Sequence, residues 1–336
     1  MRSADTLARA YPLSVIIPAN NALPEVAQCL QALAQNNLTE TQIILVDDGS
    51  SDGTSSALEI FSTLDVPVQC IRLDPQSGPG AARNRGLESA HHPYLLFLDA
   101  DVVLPEQSLD WLRDSLDLYS HRTEVGGVLG TYAEILPVAD FWTNFKNLNT
   151  CFLYRTTETL SPFVHTPIFC VRKELIEEAG GFASGLATTE DFHLGLNLGT
   201  TGHRFVIDRR VQGSHLKRYS LKGILLEDRR RIRDLRRARP KEEQRRFYYR
   251  AHRWSRIASV ALPLPILILG ALGPWAPAAA LAALVLLVLF YGFNHRFLTY
   301  CRKRLGWRFF CKAFLFHFME MLWAAFCVAS SLMRRG

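Results

Sequence analysis

The chain lacks closely spaced cysteine pairs. It has 336 residues and seven cysteines, and no two of them form a C-x-x-C pair. Such pairs are typical of zinc sites and redox motifs, whereas an odd number of scattered cysteines indicates free thiols in a reducing compartment. We therefore expect neither disulfides nor a zinc site at Cys29, Cys70, Cys151, Cys170, Cys301, Cys311 and Cys327.

The start of the sequence lacks an apolar secretion signal. Residues 1–11 contain two arginines and one aspartate, but no apolar core of the length that a signal peptide needs. We therefore expect the body of the protein to stay in the cytosol.

Positive charge is scarce outside one segment. The formal net charge is +6, yet residues 217–256 contain sixteen Lys and Arg against five Asp and Glu, a local +11 that leaves −5 for the rest. A mildly acidic body with one basic segment argues against nucleic-acid binding and indicates contact with an anionic surface. Residues 221–235 have the spacing of a basic amphipathic helix that lies on an anionic bilayer. A solvated helix and an RNA-binding arm are the alternatives.

Charged side chains are absent from residues 257–295. A membrane-spanning helix needs ~20 residues, so this stretch suffices for a hairpin of two short helices. Basic residues on both flanks place its ends in the cytosol, as expected for a multi-pass protein of the cytoplasmic (inner) membrane. Residues 309–333 form a third apolar helix, in which His317 and Glu320 share one face. An ionisable pair inside a span indicates function, and an interfacial helix is the alternative.

The first hundred residues alternate short apolar strands with helices. This order implies right-handed crossovers and a mostly parallel, Rossmann-like α/β sheet with helices on both faces. In such sheets ligands bind outside the carboxyl ends of the strands. The predicted strands are 13–18, 43–46, 68–73 and 94–98, and the predicted helices are 24–33, 55–61 and 81–90.

Two carboxylates follow the fourth predicted strand. If the chain stays extended, alternation places Asp99 and Asp101 on the same side, where two hard oxygen ligands can face one divalent cation. A cation held there would in turn hold a diphosphate. The alternative is a solvated turn after a strand.

Several different short motifs follow one another along the chain, most of them at the ends of predicted strands. They are Ser14-Val15-Ile16-Ile17-Pro18, Val46-Asp47-Asp48-Gly49-Ser50-Ser51-Asp52-Gly53-Thr54, Gly78-Pro79-Gly80-Ala81-Ala82-Arg83-Asn84-Arg85-Gly86 and Phe97-Leu98-Asp99-Ala100-Asp101, followed by Gly180-Gly181-Phe182 and Thr189-Glu190-Asp191. In this order and spacing they resemble the signature of family 2 glycosyltransferases with the GT-A nucleotide-sugar-binding fold. The resemblance implies a GT-A domain at 1–216, followed by basic juxtamembrane helices at 217–256 and a membrane region at 257–336.

The resemblance implies donor-side roles for the first motifs. Asp47 and Asp48 would lie at the nucleobase and the ribose, and Arg83 would lie near the nucleotide. Asp99 and Asp101 would bind ribose and metal, with Mg or Mn as the cofactor. An alternative for Asp47 and Asp48 is a simple Asx-turn.

One donor-side motif departs from the family pattern. The family commonly has an aromatic residue shortly after the proline that ends its first strand, whereas Pro18 is followed here by Ala19 and Asn20. Asn20 cannot stack on a base. The resemblance therefore does not indicate how the nucleobase is bound or which nucleotide is used.

The later motifs imply acceptor-side roles. Asp191 would deprotonate the acceptor and so cause inversion at the anomeric carbon, because a carboxylate within reach of a hydroxyl can take its proton. Gly181 and Glu190 would lie on the acceptor side, although Glu190 could instead cap the following helix. In some GT-A enzymes a histidine near the end of the domain joins the metal, and His215 occupies that place here.

Together these patterns predict a membrane-anchored inverting glycosyltransferase. It would use a nucleotide-diphosphate sugar and a lipid-linked or membrane-embedded acceptor at the cytosolic leaflet. The Gln-x-x-Arg-Trp motif of processive synthases is missing, which favours transfer of one sugar. The alternatives are a polyprenyl-phosphate sugar synthase with a phosphate acceptor and a non-catalytic membrane scaffold. A nucleotidyltransferase is disfavoured, because residues 18–24 contain neither glycine nor lysine.

Overall fold

The computed structural model describes residues 3–61, 66–134, 140–161, 164–186, 189–237 and 254–333. The predicted juxtamembrane residues 238–253 lie outside these ranges. The chain divides into two compact units. The first, here called the catalytic unit, comprises Met1–Pro137 and Leu153–Lys217, and the second, the helical unit, comprises Val138–Phe152 and Arg218–Gly336.

The catalytic unit is an α/β unit built on one sheet. Its strands are β1 Leu13–Ala19, β2 Thr41–Asp47, β3 Val68–Arg72, β4 Tyr94–Leu98, β5 Val102–Val103, β6 Val125–Tyr132, β7 Leu160–Ser161, β8 Ile168–Arg172 and β9 Arg204–His215. Its helices are α1 Ala4–Ala10, α2 Leu23–Leu33, α3 Pro79–Ser89, α4 Ser108–Leu118, α6 Lys173–Glu178 and α7 Glu190–Thr200, while α5 Phe141–Thr156 belongs to both units. The predicted helix at 55–61 is a 3-10 helix, Thr54–Phe61.

The sheet has the strand order β3-β2-β1-β4-β8-β6-β9-β5 in the described residues, with β7 paired to β9. Strands β3, β2, β1 and β4 are mutually parallel, as the sequence predicts. Beyond β4 the sheet becomes mixed, because β8 pairs antiparallel with both β4 and β6. The carboxyl ends of β1, β2 and β4 therefore meet at one edge, which is the edge where the predicted donor-side residues begin.

Aromatic side chains from three strands form part of the core on the mixed side of the sheet. Phe97 on β4, Phe169 on β8 and Phe205 on β9 are fully buried. The ring centroids of Phe97 and Phe169 are 6.3 Å apart, and those of Phe169 and Phe205 are 5.1 Å apart. Each ring removes a large apolar surface from water, so this stack stabilises the pairing of β4 with β8.

The helical unit contains α8 Leu221–Arg237, α9 Trp254–Ala261, α10 Pro263–Leu272 and α11 Pro277–Met333. The backbone of α11 leaves helical geometry at Gly306, where φ is +79°. Helix α11 therefore consists of two stretches, 277–305 and 307–333. They lie side by side, since Asn294 Oδ1 and His317 Nε2 are 3.0 Å apart.

Among the described residues, one helical segment, Pro277–Ser331, is long and apolar enough to cross a membrane, although the break at Gly306 divides it, and Arg256–Leu272 is a shorter apolar helix. With one candidate span, the described residues do not support the multi-pass arrangement predicted from residues 257–295. Large apolar side chains of this region, such as Leu281, Val288 and Leu315, are exposed.

Charged side chains are nevertheless buried in the helical unit. His317 Nδ1 and Glu320 Oε2 are 3.2 Å apart, as predicted from their spacing. Glu320 Oε1 also accepts a hydrogen bond from Lys146 Nζ at 3.4 Å, and Lys146 contacts Asp228 Oδ1 at 3.2 Å. Burial acts to lower the pKa of Lys146, but Glu320 and Asp228 outweigh it and the pKa is raised. Lys146 is therefore charged and neutralises part of this cluster.

The close contact between α3 and β1 gives a first prediction. A Cβ atom added at Gly86 would lie 2.3 Å from Cγ2 of the buried Ile16. We expect Gly86→Ala to lower the stability of the catalytic unit by about 1–3 kcal/mol, because the core must shift to admit the methyl group. Thermal unfolding of the full chain would measure this effect. Gly292→Ala is the control, since a Cβ there meets no atom within 4 Å, and an equal loss in both variants would contradict the prediction.

Candidate active site

The predicted donor-side aspartates follow β2 and β4. Asp47 ends β2, and Asp48 follows it. Strand β4 ends at Leu98, and Val102 N–H donates to Asp99 O at 3.1 Å, which closes a turn over residues 99–102. The expected extended geometry beyond Leu98 was therefore wrong, and Asp99 and Asp101 contact different partners.

The carboxylates of Asp47 and Asp48 hold the loops around them. Asp47 is fully buried, and its two oxygens accept hydrogen bonds from Ser50 N at 2.8 Å and from Arg72 Nη1 at 2.7 Å. The oxygens of Asp48 accept from the backbone N–H groups of Ser77 at 2.7 Å and Gly78 at 2.8 Å, directly before α3. The turn-forming role left open for these residues is thus present, while their contacts with nucleobase and ribose stay predictions.

Asn20 connects the loops that follow the first three strands. Its Nδ2 donates to Asp48 O at 2.6 Å, and its Oδ1 accepts from Gln76 Nε2 at 3.1 Å. Pro18 precedes it in β1 and pairs with Val46 of β2. Asn20 therefore occupies the donor-side edge as a loop anchor, at the place where the family pattern has an aromatic residue.

Arg83 forms the central contact of the site. It lies on α3 with 4% of its surface exposed, and its Nη2 donates to Asp99 Oδ1 at 2.7 Å. Its Nη1 donates to Glu190 Oε1 at 2.8 Å, and the guanidinium carbon lies 5.5 Å from the centre of the Phe182 ring. Burial acts to lower the pKa of Arg83, but the two carboxylates outweigh it and the pKa is raised. Arg83 is therefore a permanent positive charge between β4 and α7.

The pairing of Glu190 with Arg83 was not predicted. Glu190 is the first residue of α7, and its carboxylate binds the arginine instead of capping its own helix. Its second oxygen, Oε2, is buried without a hydrogen-bond partner among the described residues, as is the hydroxyl of Thr189. Buried polar atoms are usually satisfied, so these two indicate a place where a polar ligand completes the site.

A close approach between α3 and the Gly181 loop fixes α7 beside the sheet. Asn84 donates from Nδ2 to Phe182 O at 2.9 Å and accepts from Phe182 N at 2.8 Å. A Cβ at Gly80 would lie 2.5 Å from Ala183 O, and Gly181 has φ +72°. Only glycine fits both positions without strain. Asn84 was missed from the sequence, although it directly follows Arg83 in the third motif.

Asp191 lies in the first turn of α7. Its Oδ1 accepts a hydrogen bond from Phe192 N at 2.7 Å. A helix N-terminus stabilises negative charge, so the position suits an ionised carboxylate. The contacts from Asp99 through Arg83 to Glu190 connect the end of β4 with the residue next to Asp191. Its role as a base stays a prediction.

Asp101 and His215 form a second pair at the site. His215 Nε2 lies 3.3 Å from Asp101 Oδ2, and the His215 ring stacks on Tyr132 with centroids 4.5 Å apart and an interplanar angle of 7°. Burial acts to raise the pKa of Asp101, but His215 and then Lys217 outweigh it, and the pKa is lowered. Tyr132 was not predicted, because nothing in its local pattern distinguishes it from other strand residues.

The geometry of this pair fits two ligands of one divalent cation. Ligands at about 2.1 Å from an octahedral ion lie about 3 Å from each other, close to the observed separation. The described residues contain no group of three metal-capable side chains. A cation at Asp101 and His215 would therefore need phosphate oxygens or water to complete its coordination, which is the usual arrangement of Mg²⁺ with nucleotides.

Comparison with known sequences identifies relatives of this chain. The model of the family described as glycosyl transferase family 2 matches residues 14–180. Glycosyltransferase AglE of Haloferax volcanii is 29% identical over 210 residues, which are 60% of this chain and 66% of the relative. Putative teichuronic acid biosynthesis glycosyltransferase TuaG of Bacillus subtilis (strain 168) is 31% identical over 105 residues, 31% of this chain and 39% of the relative. The chain thus spans less than two thirds of the length of these relatives.

Comparison with solved structures supports the fold. Mannosyltransferase PcManGT from Pyrobaculum calidifontis, solved with GDP-Man and Mn²⁺, has a TM-score of 0.58 at 18% identity and covers 95% of this chain and 87% of its own. S. aureus TarS 1-349 has a TM-score of 0.51 at 18% identity and covers 96% of this chain and 91% of its own.

The mixed sheet and the solved structures define the fold. It is the GT-A fold of nucleotide-sugar glycosyltransferases. The match of residues 14–180 to the glycosyl transferase family 2 model supports the resemblance drawn from the motifs.

The buried position of Arg83 gives a second prediction. We expect Arg83→Met to lower the stability of the catalytic unit by about 3–5 kcal/mol, because the buried Glu190 and the partly buried Asp99 would lose their common partner. Arg85→Met is the matched control on the same helix. Its exposed pair with Glu88 should contribute less than about 1 kcal/mol. Chemical denaturation would compare the two variants, and equal losses would contradict the prediction.

The Asp101 and His215 pair gives a third prediction. We expect His215→Ala to weaken Mn²⁺ binding in the presence of UDP or GDP by about tenfold or more, because one of two protein ligands is lost. Isothermal titration calorimetry would measure the affinity. His91→Ala, a change at an exposed histidine, is the control, and unchanged Mn²⁺ binding in His215→Ala would exclude His215 as a ligand.

Proposed function

We propose that the chain transfers one sugar from a nucleotide-diphosphate sugar to a lipid-linked or membrane-embedded acceptor, with inversion at the anomeric carbon. The contacts of Arg83 with Asp99 and Glu190 are the main support. They connect the end of β4, on the donor side, to the first turn of α7, where Asp191 lies. These contacts hold the donor-side residues and the acceptor-side residues in fixed positions relative to each other. We further propose the domain bounds 1–216, 217–256 and 257–336.

On the donor side, the residues bind and orient the nucleotide. Asp47 and Asp48 shape the loops after β2 and before α3. A carboxylate oxygen that already accepts one hydrogen bond can still accept a second, from a base N–H or a ribose hydroxyl. Asp99, fixed by Arg83, is a second acceptor for ribose. Since no aromatic residue follows Pro18 directly, hydrogen bonds from this edge would orient the nucleobase.

Asp101 and His215 would hold the divalent cation, Mg or Mn. When bound, such a cation neutralises charge on the leaving diphosphate. The Mn²⁺ and GDP-Man in the solved mannosyltransferase are consistent with this role. Stacking on Tyr132 holds the His215 ring in the orientation that directs Nε2 toward Asp101.

On the acceptor side, Asp191 takes the proton of the acceptor hydroxyl. The hydroxyl oxygen forms a bond to the anomeric carbon while the bond from that carbon to the diphosphate breaks. The configuration inverts, and the nucleoside diphosphate leaves with the bonding electron pair. Glu190 Oε2 and the Thr189 hydroxyl, which have no partner among the described residues, are available to bind sugar hydroxyls.

Membrane attachment supports a lipid acceptor. The apolar helix Pro277–Ser331 would hold the protein at the bilayer, and the arginines of α8 would face anionic lipid at the cytosolic leaflet of the inner membrane. An enzyme confined to this plane meets lipid-linked acceptors at high local concentration. No role for nucleic acid follows from this arrangement.

A polyprenyl phosphate as direct acceptor is the second candidate. A phosphate oxygen is already ionised and needs no base, so Asp191 would be dispensable for proton removal. The backbone N–H groups in the partly buried first turn of α7 are compatible with binding such a phosphate. The effect of Asp191→Asn on transfer therefore distinguishes the two acceptors.

Transfer assays give the fourth prediction. Purified full-length protein would be supplied with UDP-, GDP- and dTDP-sugars, Mg or Mn, and total membrane lipid. We expect one donor to label lipid, and Asp191→Asn to lower this rate by about 10²- to 10⁴-fold because the base is lost. Asp101→Ala should also abolish the metal-dependent rate.

The control for this experiment is Asp5→Asn, a change at an exposed carboxylate of α1. Full activity of Asp191→Asn on a hydroxyl acceptor would refute its role as the base. Full activity on a polyprenyl phosphate alone would instead establish the second candidate. Absence of turnover with every donor and lipid would favour the non-catalytic scaffold.

A further inference from the structure

The helical unit contains a cavity of about 920 Å³. Residues of α5, α8 and α10 line it together with one face of the 307–333 stretch of α11. The lining is almost entirely apolar and aromatic, with Lys312 and Glu320 as its charged members. All of the lining residues belong to the helical unit, and the hydrogen bond from Trp323 Nε1 to Leu225 O, at 2.9 Å, fixes α8 against α11.

The cavity follows the axis of one helix. Lys312, Leu315, Met319, Leu322, Phe326 and Ala329 recur at spacings of three and four residues and all line it. A rise of 1.5 Å per residue makes this row about 25 Å long. That length is close to the hydrocarbon thickness of one bilayer, about 30 Å. The cavity is therefore a groove with dimensions suited to an extended hydrocarbon chain.

The two charged residues of the lining differ in what neutralises them. Glu320 is buried and contacts Lys146 and His317. Lys312 is exposed, and no carboxylate of the described residues lies within 4 Å of its ammonium group. One end of the groove is thus positively charged, and the rest is apolar.

We infer that this groove binds the hydrocarbon chain of an isoprenoid phosphate, with the phosphate on Lys312. A ligand with one long chain and one terminal phosphate matches one groove with Lys312 at its end, because no carboxylate in the part of the chain that the structure describes pairs with this lysine. The inference rests on the proposed function, because an isoprenoid phosphate is a lipid that can carry or accept the transferred sugar. The groove would keep this lipid on the enzyme.

Equilibrium binding of a fluorescent polyprenyl monophosphate tests the inference. The full-length protein would be placed in phosphatidylcholine nanodiscs and the probe followed by anisotropy. We expect Ala329→Trp, which fills the groove, to weaken binding about tenfold through lost chain contacts. Lys312→Gln should weaken it about fivefold through loss of one charge near phosphate. Neutral polyprenol should bind the wild type and Lys312→Gln equally.

Two matched controls lie on α11, the helix that contributes most of the groove lining. Val328→Trp adds the same side chain at the neighbouring exposed position, which does not line the groove. Lys303→Gln removes an exposed lysine that is also outside the lining. Both should bind the probe as the wild type does. Because Lys312 is exposed, Lys312→Gln keeps the test decisive even if Ala329→Trp fails to fold.

Equal binding by Ala329→Trp and Val328→Trp would overturn the inference, as would displacement of the probe by an equal concentration of phosphatidic acid. The second result would identify a general phospholipid site. Metal-dependent hydrolysis of the sugar donor, measured on the same samples, separates this outcome from failure of the proposed function. Hydrolysis without probe binding refutes the groove alone, whereas probe binding without hydrolysis of any donor refutes the proposed transfer alone.

Discussion

The site depends on one buried arginine held between two carboxylates. Removing a guanidinium from water is costly, and Arg83 is stable in its position only because Asp99 and Glu190 both contact it. These partners belong to different parts of the fold, the end of β4 and the start of α7. The requirement to neutralise one charge therefore determines how the sheet edge and the helix meet. Gly80 and Asn84, on the same helix as Arg83, allow and fix that approach.

The sequence predicts the parallel half of the fold well, and the reason is local. Strands β1, β2 and β4 are short, mostly apolar runs that end at polar loops, and these loops contain their own turn residues. The mixed half is harder, because β8 enters the sheet antiparallel between β4 and β6 after a long separation in sequence. The pattern of apolar residues in β8 does not specify which strands it pairs with.

Sequence reasoning named individual candidate site residues, whereas it did not predict the contacts among them. The motifs indicated Arg83, Asp99 and Glu190, yet the link among them joins residues over a hundred positions apart. The turn that begins at Asp99 was not predicted either, because the expected positions of Asp99 and Asp101 required β4 to continue beyond Leu98. In the helical unit, the spacing of His317 and Glu320 revealed their contact, but Lys146, their distant counter-charge, became visible only in three dimensions.

The contacts of Asn20 limit how the loops at the donor-side edge can change in sequence. Its side chain ties the loop after β1 to Asp48 in the loop after β2 and to Gln76 in the loop after β3. Hydrogen bonds of Asn20 connect the three loops, so a sequence change in one loop affects the other two. A chimera that takes a single loop from a relative would break these hydrogen bonds, and a transplant of nucleotide preference must move all three segments together.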